Sequence, residues 1–362
     1  MKIGIETLLI EVRSLILSAR KSASRNINTI QVITNFRIGR LIVEHEQKGK
    51  KRAEYGGKVL SELSSRLTVE FGRGFSQSNL EYMRKFYLIY KEKNLRISQT
   101  VSGKSLMKAE LPVANQSENQ LSIPVMENIF TLSWSHYLFL LSIKDTKERC
   151  FYEIEATQNG WSLSELKRQF DASLYERLAL SRKKESVKLL SEKGQIIEKP
   201  QDMLKSPYVL EFLGIDEKAV YSETDLENAI INKIEHFLLE LGKGFLFEAR
   251  QKRFTFGSEH FYVDLVFYNR LLRAYVLIDL KIGKLTHKDL GQMQMYVNYY
   301  DRHVKTGYER PTVGIILCKM KNNALVELTL PENAKVYASE YQLYLPSKEE
   351  LRKKLIEWGE EE

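Results

Sequence analysis

FYVDLVFYNRLLRAYVLIDLKIGKLTHKDLGQMQMY, residues 261–296, decides how the rest of the chain is read. FYVDLVFY (261–268) and AYVLIDLK (274–281) are runs of β-branched and aromatic residues, so both read as strands of a hairpin. Each run carries one acid, Asp264 in the first and Asp279 in the second. Side chains alternate along a strand, so Asp279 and Lys281 share a face and Leu280 points the other way. Asp264 lies directly opposite Asp279 if the hairpin is centred between Leu271 and Leu272. A tighter turn at Asn269-Arg270 would misalign them. The segment from His287 to Arg302 reads as a helix, with Gln292 and Tyr296 one turn apart on one side.

Outward from this stretch the grammar is mixed α and β. Thr224 with Glu227 three residues on reads as a capping box, opening a helix that ends near Gly242. FLFEARQKRFTF (245–256) is a further strand. TVGIILC (312–318) is a continuous apolar run, as expected of a buried strand, and AKVYAS (334–339) is another. The order is α-β-β-β-α-β-β, and the helix between the third and fourth strands implies a parallel crossover in a mixed sheet. The segment from Ser347 to the C-terminus reads as a charged, solvated helix.

The front half is helical. Residues 5–24 and 26–47 show apolar spacing near 3.6 and read as two helices. KGKKRAEYGG (48–57) is basic and ends in two glycines, and a helix follows at about 56–70. Gly72 and Gly74 mark a tight turn, and Ser78 with Glu81 reads as the capping box of the next helix. Helix, glycine turn, helix is helix-turn-helix grammar, rivalled by an ordinary helical hairpin with a solvated basic face. The second helix is expected to expose Asn79, Tyr82, Arg84 and Lys85 and to bury Leu80, Met83, Phe86 and Tyr87. Residues 94–125, rich in Ser, Asn, Gln and Lys, read as a flexible insert. Helices resume at 134–158. Ser162 with Glu165 opens another that runs toward Lys184, and a Gly/Pro-bearing connection covers 191–207. The expected fold class is α+β: an all-α domain over 1–200 with a helix-turn-helix or winged-helix-like part, an α/β domain with a mixed sheet flanked by helices over 205–346, and the charged helix at 347–362.

Charge is unevenly spread. Residues 1–200 carry 33 Lys and Arg against 22 Asp and Glu, whereas the remainder carries 22 against 25. A basic front half suits a polyanion such as nucleic acid, with general solubility as the plainer explanation. Lys50, Lys51, Arg52, Arg73, Asn79, Tyr82, Arg84 and Lys85 are its candidate nucleic-acid contacts. Two cysteines, Cys150 and Cys318, give neither a disulfide framework nor a zinc site, which points to a reducing cytoplasm. No apolar run approaches the roughly 20 residues of a membrane span.

Two facing carboxylates repel one another unless a cation joins them. Oxygen donors with open water positions favour a hard divalent ion, Mg²⁺ or Mn²⁺. Such an ion polarises a phosphate and activates water, while Lys281 orients or deprotonates that water or stabilises the pentacovalent charge. The alternative is a structural ion pair between Asp279 and Lys281. Burying charge inside YVLIDLK is costly without function, which favours the catalytic reading.

The order D-x(14)-D-x-K followed by Q-x-x-x-Y resembles the PD-(D/E)XK nuclease superfamily. LVFYNR, VLIDLKIG and GQMQMYVNYYD, together with RAEYGGKVLSELS, FGRGFSQSNLEYMRKFY and LSWSHYLFLL, resemble the YhcG-like proteins, in which such a domain follows a helical domain believed to bind DNA. The resemblance covers most of the chain, less residues 94–125. It implies that Asp264 and Asp279 bind metal, that Lys281 is the catalytic lysine, and that Gln292 and Tyr296 form the auxiliary motif. It also implies an acid on the first helix of the nuclease domain; Glu235 fits the spacing, with Glu227 and Glu240 as rivals. Two departures are Asp279 where Glu is commoner and Val263 where a proline often stands.

The activity implied is a Mg²⁺-dependent DNA endonuclease leaving 5′-phosphate and 3′-hydroxyl ends. The rivals are a catalytically silent DNA-binding adaptor and a nuclease of structured RNA. Cutting both strands with one site per chain favours a homodimer.

Overall fold

The computed structural model describes residues 2–48, 53–102, 130–182, 184–216, 220–331 and 333–360. Its contacts divide the chain into two compact units, Met1–Arg149 and Cys150–Glu362.

The first unit is helical: α1 (Lys2–Lys48), α2 (Ala53–Phe71), α3 (Gln77–Ser102), α4 (Trp134–Leu140) and the start of α5 (Thr146–Asn159). Its interior is aromatic. Phe86 sits 5.8 Å from Phe36, 5.2 Å from Phe130, 5.3 Å from Trp134 and 4.9 Å from Tyr137, ring to ring. Gly39 lets α1 approach α3 closely, since a Cβ there would run into the Met83 carbonyl. Leu80, Met83 and Phe86 are buried as the periodicity predicts, and Tyr87 is half-buried.

Three local expectations change. The two helices expected over 5–47 are one, because no glycine or proline interrupts residues 5–38. The cap of α3 is Ser76, whose Oγ accepts from the Asn79 amide at 3.3 Å, rather than Ser78. The helix also continues through residues 94–102, where composition suggested a loop; the first breaker after Lys91 is Gly103. Lys50, Lys51, Arg52 and residues 103–129 lie outside the described residues.

The second unit is a six-stranded sheet with helices on both faces. It contains α6 (Leu163–Asp171), α7 (Leu174–Leu180), α8 (Lys184–Lys193), β1 (Tyr208–Val209), α9 (Glu223–Asn232), α10 (Ile234–Leu241), β2 (Phe245–Phe256), β3 (Glu259–Asn269), β4 (Ala274–Lys284), α11 (His287–His303), β5 (Val313–Met320), α12 (Asn323–Thr329), β6 (Val336–Gln342) and α13 (Lys348–Glu360). The strand order is β1-β6-β5-β4-β3-β2. β2, β3 and β4 form an antiparallel meander, whereas β4–β5, β5–β6 and β1–β6 are parallel. α11 is the crossover that makes β4 and β5 parallel. The short edge strand β1 was not evident in the sequence.

The two sheet faces hold separate cores. Leu265, Phe267, Ile278, Leu280 and Leu317 pack with Leu226 and Ile230 of α9 and Phe237 and Leu241 of α10. Val263, Val266, Leu277 and Ile316 pack with Leu290, Met293, Tyr296 and Val297 of α11. A regular strand would keep residues 263 and 265 on one face. Here they enter opposite cores, so β3 turns over at Asp264.

Helix starts in this unit follow side-chain caps. Ser162 with Glu165 caps α6 as expected. The cap of α9 is Ser222 with Asp225, two residues before the expected Thr224 and Glu227, which releases Glu227 from capping. The single helix expected from Ser162 to Lys184 breaks at Ser173, whose φ is +52°. The break turns α7 so that Arg177 reaches Glu240 on α10, NH1 to Oε1 2.5 Å, with both side chains fully buried. Arg168 lies 3.4 Å from the same carboxylate, and Lys205 donates to the Glu240 carbonyl. Burial alone would raise the Glu240 pKa, but Arg177, Lys205 and Arg168 outweigh it and hold it down at about 2.

Because this folded-state pKa lies below the unfolded value, the stabilisation is fully present above pH ~4.5 and is lost as pH falls toward 2. Glu240→Gln leaves Arg177 buried without its counter-charge and is expected to cost about 3–5 kcal/mol. Urea unfolding at neutral pH checks this, and the penalty should shrink when the comparison is repeated in acid.

Candidate active site

Asn269 fixes the hairpin register. Its Oδ1 accepts from the amides of Leu271 at 3.0 Å and Leu272 at 3.1 Å, folding the connection into a turn closed by the Asn269–Ala274 pair. Arg273 completes it in the left-handed region, at φ +53°. The turn is therefore centred between Leu271 and Leu272. The ladder runs to Leu265 opposite Ile278, and the next step sets Asp264 opposite Asp279.

At that step a side chain takes over from the backbone. Asp264 Oδ2 accepts from the Leu280 amide at 2.9 Å, and Oδ1 accepts from Gln251 Nε2 at 3.0 Å. Asp279 is only 3% exposed. Its Oδ2 lies 2.9 Å from Lys281 Nζ, which is also 3.4 Å from Glu223 at the start of α9. Burial pushes the Asp279 carboxyl up to about 7, and the facing Asp264 charge pushes the same way; Lys281 opposes both. Burial works against charge on Lys281, but Asp279, Glu223 and Asp264 outweigh it and raise its pKa.

Gln292 and Tyr296 project from α11 and hydrogen-bond to each other, Nε2 to hydroxyl. Tyr296 is buried against Phe254, rings 5.5 Å apart and near perpendicular. Burial raises its pKa, and the charges of Asp279 and Asp264 add to the rise, so this hydroxyl feels the acid pair.

Glu235 is not brought to this cluster. It sits on the exposed side of α10, lining a cleft with Glu165, Arg168 and Leu239. Its rival Glu240 is committed to Arg177. Glu227 is the helix acid that reaches the site, because α9 and not α10 lies over this end of the strands. It is buried and accepts from Gln251 Nε2, the same amide that holds Asp264. Arg250 pairs with Glu227 Oε1 at 2.9 Å, although at an angle that leaves this buried oxygen without a hydrogen bond.

Gln251 and Glu223 had not been singled out in the sequence. Gln251 has φ +44°, costly for a side chain with a Cβ, and it lies where the ribbon turns over. A signal for it existed: a two-residue Gly257-Ser258 turn registers Gln251 opposite Asp264.

On the first unit the candidate nucleic-acid contacts part company. Arg73, Tyr82 and Lys85 are exposed, and Asn79 and Arg84 are half-buried. Asn79 donates to the Gly74 carbonyl and accepts from Trp134 Nε1 at 3.1 Å. Arg84 pairs with Glu46 at 2.7 Å, and Lys85 donates to the Leu141 carbonyl at 2.7 Å. These three donors are engaged in holding the helical unit together.

Among the described residues no group of three or more His, Cys, Asp and Glu converges as a metal shell. The donor set nevertheless suits a hard cation: two facing carboxylates, one destabilised by the other's charge, with a third acid, the buried Glu227, one hydrogen-bonded residue away.

Residues 201–356 match the YhcG PDDEXK nuclease domain, and residues 11–177 match the DUF1016 N-terminal domain. The chain is 38% identical to YhcG of Escherichia coli strain K12 over 344 residues, covering 94% of this chain and 90% of that one. It belongs to the YhcG nuclease family. Partial overlaps occur with a repair endonuclease from Pyrococcus abyssi (20% identity, 36% of this chain and 50% of that one, TM-score 0.25) and with EndoMS in a double-stranded DNA complex (18%, 37% and 50%, TM-score 0.26). No described helix is long and apolar enough to cross a membrane.

If the Asp264 charge helps destabilise the Asp279 anion, Asp264→Asn lowers the Asp279 pKa from about 7. A carbon-13 NMR titration of the Asp279 carboxyl reads this. An unchanged value would assign the shift to burial alone.

Proposed function

We propose that this chain is a divalent-metal-dependent endodeoxyribonuclease that hydrolyses phosphodiesters at Asp264, Asp279 and Lys281. The observation that carries the reading is the opposed pair of a half-buried Asp264 and a buried Asp279, with an ammonium 2.9 Å from an Asp279 oxygen. Asp264 and Asp279 are the residues that would hold Mg²⁺ or Mn²⁺, with Glu227 nearby as a further acid. When bound, such an ion supplies positive charge that polarises the phosphate and makes a water nucleophilic at neutral pH.

The chain's own residues do the positioning. The Leu280 amide and Gln251 each hold one oxygen of Asp264, which fixes the direction of its lone pairs. Lys281, anchored on Asp279 and Glu223, is placed to orient the attacking water and to stabilise charge on the pentacovalent phosphate. Gln292 and Tyr296 act as a unit, offering an amide and a hydroxyl beside the acid pair. The basic first unit suits the recruitment of DNA. With Asn79, Arg84 and Lys85 engaged internally, Arg73, Tyr82 and the basic 48–58 stretch are its stronger contacts.

Cleavage of duplex and branched DNA with Mg²⁺ tests the proposal. Asp279→Ala is expected to abolish turnover, and Lys281→Ala to slow it by about 10²–10³-fold. Equal residual cleavage by wild type and both variants contradicts it. Gln251→Gly relieves the left-handed conformation but adds unfolded-chain entropy and leaves a buried Glu227 oxygen without its donor, so stability is expected to fall by about 1–3 kcal/mol. Its cleavage should fall by about 10–100-fold, because Asp264 loses one of its two holders. Thermal unfolding and initial rates on the same preparation separate these two effects.

A further inference from the structure

The β2–β3 ribbon outruns the sheet. β3 pairs with β2 from Phe256 opposite Glu259 back to Phe245 opposite Asn269, but with β4 only from Leu265 to Asn269. Beyond Asp264, therefore, β4 does not continue beside it. On this outer part, Phe254 and Phe261 stack at 5.5 Å, and Phe254 lies 4.1 Å from the Tyr299 ring and 5.5 Å from that of Tyr296 on α11. Val263 packs into the same core. That side of the ribbon is occupied by its own protein.

The other side is not. Arg253 lies opposite Tyr262, and Thr255 opposite His260. All four are exposed, Tyr262 by 44%. Arg253 NH2 sits 3.0 Å from His260 Nε2, and Thr255 Oγ1 is 3.0 Å from His260 Nδ1, so these side chains form one polar surface. At the tip Phe256 is 72% exposed, next to Gly257. Residues 249–263 carry Arg250, Lys252 and Arg253 against Glu259 alone, although the chain beyond residue 200 is slightly acidic overall. Arg250 is tied to Glu227 and Asn228, and Lys252 sides with Phe254, which leaves Arg253 as the cation of this surface.

We propose that this projecting ribbon is a DNA-contacting arm that lays one strand's sugar-phosphate backbone across the acid pair. Four features argue for this occupant. The surface is cationic and hydrogen-bond-donating, which suits phosphate. It carries an exposed tyrosine ring able to pack on a sugar or an unstacked base. It is also continuous with the site: Arg253 and Tyr262 lie two residues out from Gln251 and Asp264. Two residues of strand rise about 7 Å, close to the rise of two nucleotides along one DNA strand. A two-stranded ribbon also fits the width of a major groove. The proposal rests on the nuclease reading for its choice of partner, but its test does not require turnover.

The test uses the full chain carrying Asp279→Asn, so that substrate stays intact, with fluorescein-labelled duplex DNA followed by anisotropy over a salt series. Arg253→Glu is expected to weaken binding by about tenfold or more at moderate salt, and Arg253→Ala to lower the salt slope by about one phosphate contact. Tyr262→Ala should weaken binding with little change in slope, and Arg253→Lys should retain most of the affinity. Thermal unfolding verifies that each variant is folded; if charge reversal disturbs folding, the comparison of Arg253→Ala with Arg253→Lys decides. Parental affinity and slope in both Arg253→Ala and Tyr262→Ala overturn the arm. If wild-type chain cuts DNA but ignores these substitutions, only the arm falls. If it never cuts yet loses affinity on them, the nuclease reading falls and the arm stands.

Discussion

Two carboxylates held face to face where a hairpin ladder ends are the constraint around which the second unit is arranged. Asp264 and Asp279 meet because Asn269 centres the hairpin turn between Leu271 and Leu272. Burial and mutual repulsion push Asp279 up to about 7, and the neighbouring groups answer that tension. Lys281 offers one counter-charge, while the Leu280 amide and Gln251 occupy the oxygens of Asp264. The left-handed backbone at Gln251 belongs to the same arrangement: it lets the ribbon turn over where the acid must point into the site.

Rigidity elsewhere supports this geometry. The buried Arg177–Glu240 pair, with Lys205 and Arg168 around it, fixes α7 and α10 against one another. Such a cluster is costly to desolvate and worse to break, which favours one arrangement over near alternatives. On the other face, α11 is anchored by Leu290, Met293 and Val297, so Gln292 and Tyr296 are presented at a fixed depth.

Much of this was legible in the sequence. The strands, the crossover helix and the shared face of Asp279 and Lys281 follow from period-two and period-3.6 patterns, because the apolar residues there are dense and uninterrupted. The register was legible only conditionally, since it depended on which turn Asn269 would make. Helix boundaries set by a cap were less secure: with Ser222, Thr224 and two candidate acids in reach, the pattern favoured Thr224 while the chain uses Ser222. That shift of two residues is what frees Glu227. The family resemblance pointed to Glu235, but it does not report that α9 and α10 are separate helices meeting at Lys233. The availability of Asn79, Arg84 and Lys85 was inferred from one helix alone. Their engagement with Trp134, Glu46 and Leu141 is tertiary and invisible to periodicity.

The central claim is that the Asp264–Asp279 pair is a cation site rather than a structural ion pair with Lys281. Calorimetric titration of the wild-type chain with Mn²⁺ near neutral pH tests it most directly, run in two buffers of different ionisation enthalpy. With Asp279 partly protonated at about pH 7, the account predicts saturable binding with proton release, and loss of both in Asp279→Asn. Absence of binding in wild type, or binding of equal strength and proton release in Asp279→Asn, would contradict it.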